Sequence, residues 1–504
     1  MMKSKICFLL FGIFANVCTA YNILVIMGHP GNSHLRVFVP FFKELGERGH
    51  HLTVISYAAI KGKNIRAVQL AEGLKEVMPL NEITGARSEK YFGAHLLYSF
   101  SKSYEEGLKS RAFQDFLKEN NSYDVVLAEM FNSNAFYGLA KRFDAPLVGL
   151  SSCAMLPWHA QWFGSSDNPS YIPVLFMDYP VRMSFAERVE NTVMLLMNKW
   201  WWYSLMETPG KILSQKYIGE ETPDLYTTSL FLVNSHHTLH GARPLTPSIV
   251  EVGGIHIEKA KKLPENLERW IEESGDGVIY FSLGSMIKSN TLAEETRKIF
   301  ANVFSRLPQR VLWKWENDSM PEKPKNVMVQ KWLPQRDVLC HPNVKAFIGH
   351  GGLLGTTEAI HCGVPLIIMP QFGDQHLNAK AVESQGVGVI LQLHDTNEEK
   401  LSNAINKVLS PEISRQTKAL SERFKDRPQS PIDTAIYWVE HVTRHKGGYH
   451  MRSAAIDLPF YQYFLFDVVA FLAVLILTFV YIVYLSLKFF LSFRPKTNVK
   501  QKSS

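Results

Sequence analysis

The fold is decided by one stretch of the sequence, AFIGHGGLLGTTEAIHCGVPLIIMPQFGDQ, residues 346–375. Residues 346–348 are a short apolar run of the kind that forms a buried strand, and residues 365–369 are a second such run. A glycine-rich turn and a helix-like segment separate the two runs, which is the strand–helix–strand order of a parallel sheet. We therefore expect a doubly wound α/β domain, whose ligands bind beyond the carboxyl ends of its strands.

The same alternation of strands and helices extends through the rest of the chain. Further strand candidates lie at residues 278–282, 311–314 and 327–330, and in the first half at residues 21–27, 52–56, 124–128 and 146–150. The strands of the first half are likewise separated by helical stretches and loops, as in βαβ units. Two Rossmann-like α/β domains are therefore expected, facing each other across a cleft.

Composition and patterning divide the chain into six segments. These are a signal peptide (1–20), an N-terminal domain (21–245), a C-terminal domain (246–446), a juxtamembrane segment (447–466), a transmembrane helix (467–488) and a basic cytoplasmic tail (489–504). The polar segment 235–247, with two prolines and a glycine, suits a linker between the domains. Residues 410–446 look helical and are expected to pack back across both domains.

The two ends of the chain predict its topology. Lys3 and Lys5 precede an apolar run that ends in small residues, the pattern of a cleaved signal peptide. Residues 468–487 form an unbroken apolar run of bilayer length, without a polar face. Basic residues with no acid among them follow this run, so the body is expected to be lumenal and the protein a single-pass type I membrane protein. The last five residues resemble the dilysine-type signals that return such proteins to the endoplasmic reticulum.

Charge and cysteine usage exclude several classes of protein. The net charge of +7 is modest for 504 residues, and no stretch interleaves basic with stacking aromatic residues, so nucleic acid is not an expected partner. After removal of the signal peptide three cysteines remain, Cys153, Cys340 and Cys362, without metal-ligand spacing. We therefore expect no bound metal, and a fold that rests on its cores. Sequons at Asn120 and Asn317 agree with a lumenal body.

Polar side chains gather around the glycine-rich turn. The helix that begins near Leu353 presents free N–H groups and the positive end of its dipole, which together make an anion site. His350 can donate a hydrogen bond to a phosphate, and Trp332 offers a flat face to a base. Glu358 can accept from ribose hydroxyls. A dinucleotide fingerprint is excluded, because its third glycine would stand where Leu354 is found.

These residues resemble the signature of the UDP-glycosyltransferases, the family of animal glucuronosyl- and glucosyltransferases. The resemblance runs from the signal peptide to the basic tail, and it implies a GT-B fold, an inverting mechanism, a UDP-sugar co-substrate and no cofactor. For the nucleoside it implies that Trp332 stacks on uracil and that Gln335 and Glu358 hold ribose. For the diphosphate it implies contacts from His350 with Gly351 and Gly352, and a second phosphate-side loop formed by Gly284 and Ser285. Asp374 and Gln375 would bind the donor sugar.

Two details of the sequence refine the resemblance. Residues 234–237 and 252–254 resemble the linker of the arthropod branch, which favours UDP-glucose. At Leu354 and Gly355 the chain departs from the Ser or Asn that many members carry there. The phosphate contact at these positions is therefore expected from the backbone alone.

The catalytic base is expected in the N-terminal domain. A base for an acceptor hydroxyl needs a pKa near neutrality and a place beside the nucleophile. His34 follows the first strand and matches the family's catalytic histidine, whereas His29, its rival, does not match the motif. A carboxylate is needed to orient the far ring nitrogen. Glu129 stands where the family usually has Asp, and Asp124 is expected only to start a strand.

The sequence thus predicts transfer of a hexose, glucose, from a UDP-sugar to a small lipophilic acceptor. UDP-glucuronosyl transfer and a catalytically weak lipophile-binding relative are the alternatives. Tryptophans 158, 162 and 200–202 are candidates for an apolar acceptor pocket or a membrane contact, against ordinary core packing. The membrane is a partner through the C-terminal helix, and a homo-oligomer is compatible with the sequence.

Overall fold

The structure is a computed structural model that describes residues 20–70, 97, 102–285 and 287–493. Nearly all of the expected signal peptide and the tail from residue 494 lie outside these described residues. The strands are β1 (Asn22–Met27), β2 (His51–Ser56), β3 (Ile65–Gln69), β4 (Val125–Glu129), β5 (Leu147–Ser151), β6 (Leu230–Val233), β7 (Ile249–Glu251), β8 (Val278–Ser282), β9 (Arg310–Lys314), β10 (Val327–Gln330), β11 (Val344–Gly349), β12 (Leu366–Ile368) and β13 (Gly388–Ile390).

Helices separate most of these strands. They are α1 (Asn32–Glu47), α2 (Lys102–Lys109), α3 (Arg111–Leu117), α4 (Gly138–Arg142), α5 (His159–Trp162), α6 (Phe185–Trp201), α7 (Thr208–Ile218), α8 (His237–His240), α9 (Glu265–Glu272), α10 (Glu294–Ser305), α11 (Gln335–Leu339), α12 (Leu353–Cys362), α13 (Gln375–Ser384), α14 (Glu398–Val408), α15 (Pro411–Lys425), α16 (Pro431–Arg444), α17 (Phe460–Tyr463) and α18 (Phe466–Ser492). One turn of π-helix, Trp202–Glu207, joins α6 to α7.

The strands form two parallel sheets. The first has the order β3-β2-β1-β4-β5-β6-β7, and the second has the order β10-β9-β8-β11-β12-β13. The central strands β4 and β8 are buried along their whole length, because helices cover both faces of a parallel sheet. This is the predicted pair of Rossmann-like domains. It brings the carboxyl ends of β1, β4 and β5, and of β8, β9 and β11, to the edges where sites form.

The first sheet extends past the predicted boundary between residues 245 and 246. Strand β7 (Ile249–Glu251) pairs with β6, so the first sheet continues to Glu251. The polar segment 235–247 is likewise not all linker, since it contains the short helix α8 (His237–His240). Strand β7 is only three residues long, and a run of that length carries no recognisable periodicity.

The chain returns to the first domain near its end, as predicted for residues 410–446. Helix α16 places Ala435, Ile436 and Val439 in the same buried cluster as Val25 of β1 and Phe38 of α1. Arg48, at the end of α1, forms an ion pair with Asp433. Helix α16 therefore supplies part of the first domain's core from a position 400 residues away in the sequence.

A disulfide bond joins Cys340, just after α11, to Cys362 at the end of α12. The sequence had predicted a fold that rests on its cores, and three extensive hydrophobic clusters agree with that. The disulfide is an addition to them. Asn120 and Asn317 of the two sequons are exposed.

The described residues from Ser453 onward form a separate unit that contains α18. Helix α18 is 27 residues long, and its most apolar window has a mean hydropathy of 2.8. Among the described residues it is the one helix long and apolar enough to cross a membrane. The helix is a few residues longer than the predicted span of 467–488, because it continues past Lys488 through Phe489 and Phe490.

Candidate active site

A cavity of about 570 Å³ lies between the two domains at the carboxyl ends of their strands. Its size is that of a small-molecule site. It brings together most of the predicted site residues: His34, Gly284, Ser285, Trp332, Gln335, His350, Gly352, Glu358, Asp374 and Gln375 all line it. Glu129 and Gly351 do not line the cavity. Glu129 contacts His34, and Gly351 stands between the lining residues His350 and Gly352.

His34 and Glu129 are in direct contact. The His34 Nδ1 atom lies 2.6 Å from Glu129 Oε1, and the Glu129 side chain is 1% exposed at the end of β4. Because Glu129 takes up Nδ1, the other ring nitrogen of His34 remains for a ligand. Asp124 stands directly before β4, at the start of the strand as expected, and its carboxylate accepts a hydrogen bond from the backbone N–H of Asn22.

Two further side chains around His34, Ser152 and Phe131, were not predicted, and His29 had been considered only as a rival base. The Ser152 hydroxyl lies 2.8 Å from His34 Nδ1. The ring of His29 stacks on that of His34 with centroids 4.1 Å apart, and Phe131 packs edge-on at 4.4 Å. Burial holds the pKa of His29 well below its usual value, and His29 Nδ1 accepts a hydrogen bond from Gly31. His29 is thus a neutral support for His34. In the sequence, only the position of His29 just after β1 pointed to a place near the site.

The glycine-rich turn encloses His350 tightly. Strand β11 ends at Gly349 and α12 begins at Leu353, so the first N–H groups of α12 face the cavity beside His350. A methyl group on Gly284 would lie 2.6 Å from the His350 ring, and one on Gly352 would lie 2.5 Å from it. Both positions require glycine for this reason. Burial, with Lys314 nearby, lowers the pKa of His350 to about 4, so the ring is neutral.

Gln335 and Glu358 form one polar group at the predicted ribose position. Gln335 Nε2 donates to Glu358 Oε2 at 2.7 Å, and Gln335 Oε1 accepts from the Tyr280 hydroxyl at 3.3 Å. Burial raises the pKa of Glu358 to about 7. Trp332 remains 60% exposed in the cavity, which leaves its indole face available for stacking. The side chain of Tyr280 was not among the predicted residues.

Asp374 and Gln375 lie at the start of α13 and differ in what they offer a ligand. Asp374 Oδ2 accepts from Asn378 at 3.0 Å, and burial raises the pKa of Asp374 while His34 across the cleft opposes the rise. Gln375 Oε1 is occupied by the backbone N–H groups of Gln371 and Phe372. The amide oxygen of Gln375 therefore holds the loop, and only its amide nitrogen remains for a sugar.

Asn378 links the second-domain side of the cavity to the first domain. Its Nδ2 donates to the Gly351 carbonyl at 2.9 Å as well as to Asp374, and its Oδ1 lies 3.0 Å from His240 Nε2. Burial lowers the pKa of His240 to about 4, so this ring is neutral and donates its proton to Asn378. Sequence patterns did not indicate this residue, because two of its partners, Gly351 and His240, come from other segments of the chain.

The tryptophans considered for an acceptor pocket do not line the cavity. Trp158, Trp162 and Trp202 are buried in the first domain's core, where Trp158 stacks on Trp202 at 4.9 Å. Trp200 is instead 63% exposed on α6. The apolar lining on the first-domain side comes from Leu97, Phe131, Cys153, Leu175 and Phe176.

Comparison with known proteins gives a consistent result. The family model for UDP-glucoronosyl and UDP-glucosyl transferase matches residues 73–502. A UDP-glycosyltransferase of Dactylopius coccus, UGT5, is 38% identical and covers 94% of this chain and 93% of its own. A UDP-glucosyltransferase of the same insect is 33% identical over 94% of each chain. UDP-glucuronosyltransferase 1A8 of Rattus norvegicus is 35% identical over 78% of this chain and 73% of its own.

Solved structures resemble this chain in fold. The spinosyn forosaminyltransferase SpnP has a TM-score of 0.58 at 16% identity and covers 84% of this chain and 100% of its own. A UDP-glucosyltransferase of Polygonum tinctorium has a TM-score of 0.57 at 17% identity and covers 84% and 99%. At this level of identity the likeness concerns the architecture alone. It confirms the GT-B arrangement of two facing Rossmann-like domains.

Proposed function

The chain belongs to the family of UDP-glucuronosyl and UDP-glucosyl transferases, and we propose that the sugar it transfers is glucose. It is a glycosyltransferase that draws on a UDP-sugar. The proposed acceptor is a hydroxyl of a small lipophilic molecule, and the proposed transfer inverts the anomeric carbon without a metal ion or other cofactor. The contact of His34 with Glu129, facing the nucleotide-side residues across one cavity, carries this proposal.

The reaction begins with the acceptor hydroxyl at His34. With the Nδ1 proton donated to Glu129, Nε2 has the lone pair that accepts the hydroxyl proton. The acceptor oxygen attacks the anomeric carbon from the face opposite UDP, and the bond to the UDP oxygen breaks. The buried Glu129 carboxylate stabilises the imidazolium that forms, because opposite charges attract strongly in a site shielded from water.

UDP leaves with its charge facing the start of α12. The N–H groups there carry the positive end of the helix dipole, and fixed dipoles of this kind stabilise charge as it develops. His350 contributes a hydrogen bond as a neutral ring, since its pKa is about 4. Leu354 and Gly355 line the cavity without a polar side chain, so the backbone makes the phosphate contacts there.

Two observations support the choice of substrates. Four Lys or Arg residues line the described part of the cavity: Arg36 over Trp332, Lys43 on α1, Lys314 near His350, and Arg336 bonded to the Glu258 carbonyl. Among the described residues none of the four forms an ion pair with Asp374, at the proposed sugar position, which favours a neutral hexose over a glucuronate. The apolar first-domain lining, with Phe131, Leu175 and Phe176, suits a lipophilic acceptor.

The proposed location is the membrane of the endoplasmic reticulum, with both domains lumenal. Helix α18 is the proposed anchor. The Cys340–Cys362 disulfide supports a lumenal body, because disulfides persist in oxidising compartments and are rare in the cytosol. Enzymatic deglycosylation should lower the apparent mass of the protein, and this shift should disappear when the sequons at Asn120 and Asn317 are removed. That result would support the same orientation.

The test is UDP release from purified membranes without added metal. UDP-glucose and UDP-glucuronate are supplied in parallel with a panel of small phenols and alcohols. We expect release with UDP-glucose that His34→Ala abolishes and that His51→Ala, an exposed histidine on β2, leaves unchanged. Release with UDP-glucuronate alone would replace glucose by glucuronate. UDP binding without release across the panel would indicate a catalytically weak lipophile-binding relative.

A further inference from the structure

Arg36 reaches from the first domain to the nucleotide-side tryptophan of the second. It lies on α1, two residues after His34, and its guanidinium carbon is 5.2 Å from the centroid of the Trp332 ring. That distance is within the range of a cation–π contact. The contact spans the cavity between the domains, so it is not part of either domain's own core.

Arg36 differs from two of the other cations in the cavity, Lys314 and Arg336, which are both ion-paired. Lys314 is paired with Glu316 at 2.7 Å, and Arg336 is paired with Asp337 at 2.6 Å. Within the described part of the chain, Arg36 has no ion pair, although it is exposed and lines the cavity. An unpaired guanidinium that already rests on an aromatic face is suited to stack on a planar ligand.

We propose that Arg36 is a donor-binding residue, which covers the uracil of the UDP-sugar on the face opposite Trp332. This inference rests on the proposed function. A base between the two groups needs about 3.5 Å on each side, or about 7 Å in all, so the guanidinium must withdraw by about 2 Å from its position in the structure. An exposed arginine side chain achieves this by a change of rotamer.

The position of Arg36 on α1 gives the contact a consequence for catalysis. The neighbouring residues Leu35, Val37 and Phe38 are buried, so the helix is fixed in the first domain's core. A base clamped between Trp332 and Arg36 therefore ties the nucleotide to the helix that carries His34 near its start. Donor binding then fixes the spacing between the base that removes the proton and the anomeric carbon.

The test measures binding of UDP and of uridine to the full-length protein in detergent by isothermal titration. Uridine is included because it carries the base without the phosphates. We expect Arg36→Ala to weaken both ligands about tenfold, in line with the loss of one stacking partner. Arg36→Lys should recover little, since an ammonium does not stack. Arg36→Ala combined with Trp332→Ala should be only slightly worse than Trp332→Ala alone.

The control is Lys43→Ala, which removes an equal charge from the same helix and the same cavity. A loss that is equal for Lys43→Ala and Arg36→Ala, or a loss for UDP but not uridine, would assign Arg36 to general attraction of the phosphates and overturn the inference. Unchanged binding by Arg36→Ala would overturn it as well. Wild-type protein that binds neither ligand would overturn the proposed function itself.

Discussion

At the scale of single residues, the surroundings of His34 determine what it can do. Glu129 and Ser152 both contact Nδ1, while His29 and Phe131 pack against the ring. These contacts restrict rotation of the His34 ring, so Nε2 is held in a fixed orientation. Because burial lowers the pKa of His29, this residue adds no positive charge that would oppose the protonation of His34 in the proposed reaction.

Replacing Glu129 tests the charge separately from the geometry. Glu129→Gln keeps the size of the side chain but removes the charge that stabilises the imidazolium, and we expect kcat to fall by about 10²–10⁴. Glu129→Asp keeps the charge but shortens the reach beyond the 2.6 Å contact, and a smaller loss is expected. The measurement is kcat at saturating UDP-glucose. A Gln variant faster than the Asp variant would contradict the role given to the charge.

Glu358 predicts a pH dependence of nucleotide binding. Its pKa is raised to about 7 by burial, so the carboxylate is mostly protonated at pH 6 and mostly ionised at pH 8. The ionised form is the better acceptor for ribose hydroxyls. We therefore expect UDP affinity to increase as pH rises from 6 to 8.

The control for this dependence is Glu358→Gln, which cannot ionise. Its UDP affinity, measured by titration at pH 6, 7 and 8, should follow only the ionisation of the phosphates. A variant with the same pH profile as the wild type would show that another group is responsible. The comparison also separates Glu358 from His350, whose pKa of about 4 lies outside this pH range.

At the scale of elements, the site is built at the starts of helices that follow buried strands. Helix α12 presents its N–H groups because Gly352 precedes it without a capping side chain. Helix α13 begins beside it, and Asn378 in its first turns bonds to both Asp374 and Gly351. The two helix starts are thus held in register by one amide side chain, which His240 in turn contacts from the first domain.

Asn378→Ala tests this connection. It leaves the Gly351 carbonyl and the His240 ring without their partner and frees Asp374 to move, and a buried group left unpaired costs about 1–3 kcal/mol. We expect KM for the UDP-sugar to rise about tenfold or more while the protein remains folded. Ser384→Ala, an exposed change at the end of α13, is the control. Unchanged KM in Asn378→Ala would remove Asn378 from the donor site.

At the scale of the whole molecule, the two domains share one chain in an interleaved way. The chain leaves the first sheet at β7, completes the second sheet, and then returns through α16 to cover β1 and α1. The first domain is therefore incomplete without residues 431–444. This arrangement also keeps the two walls of the cavity covalently connected at two places.

Val439 tests the contribution of α16. Its side chain is 1% exposed in the core shared with the first sheet, and Val439→Asp places an unpaired carboxylate there. We expect a loss of more than about 3 kcal/mol in the free energy of unfolding, measured by denaturant titration. Tyr437→Asp, on the exposed side of the same helix, should change stability by less than about 0.5 kcal/mol. Equal effects would show that α16 is not part of this core.

The sequence by itself determined the architecture and indicated the residues that are proposed to bind the donor. Buried parallel strands are continuous apolar runs, and Trp332, His350 and Glu358 lie in one segment where spacing is visible. The sequence did not reveal the very short strand β7. It also did not reveal contacts between distant segments, namely Ser152 with His34, Asn378 with His240, Arg36 with Trp332, and Val439 with the core of the first domain. Only the tertiary structure decides these, because each depends on packing that brings together residues far apart in the chain, and local periodicity carries no information about such pairs.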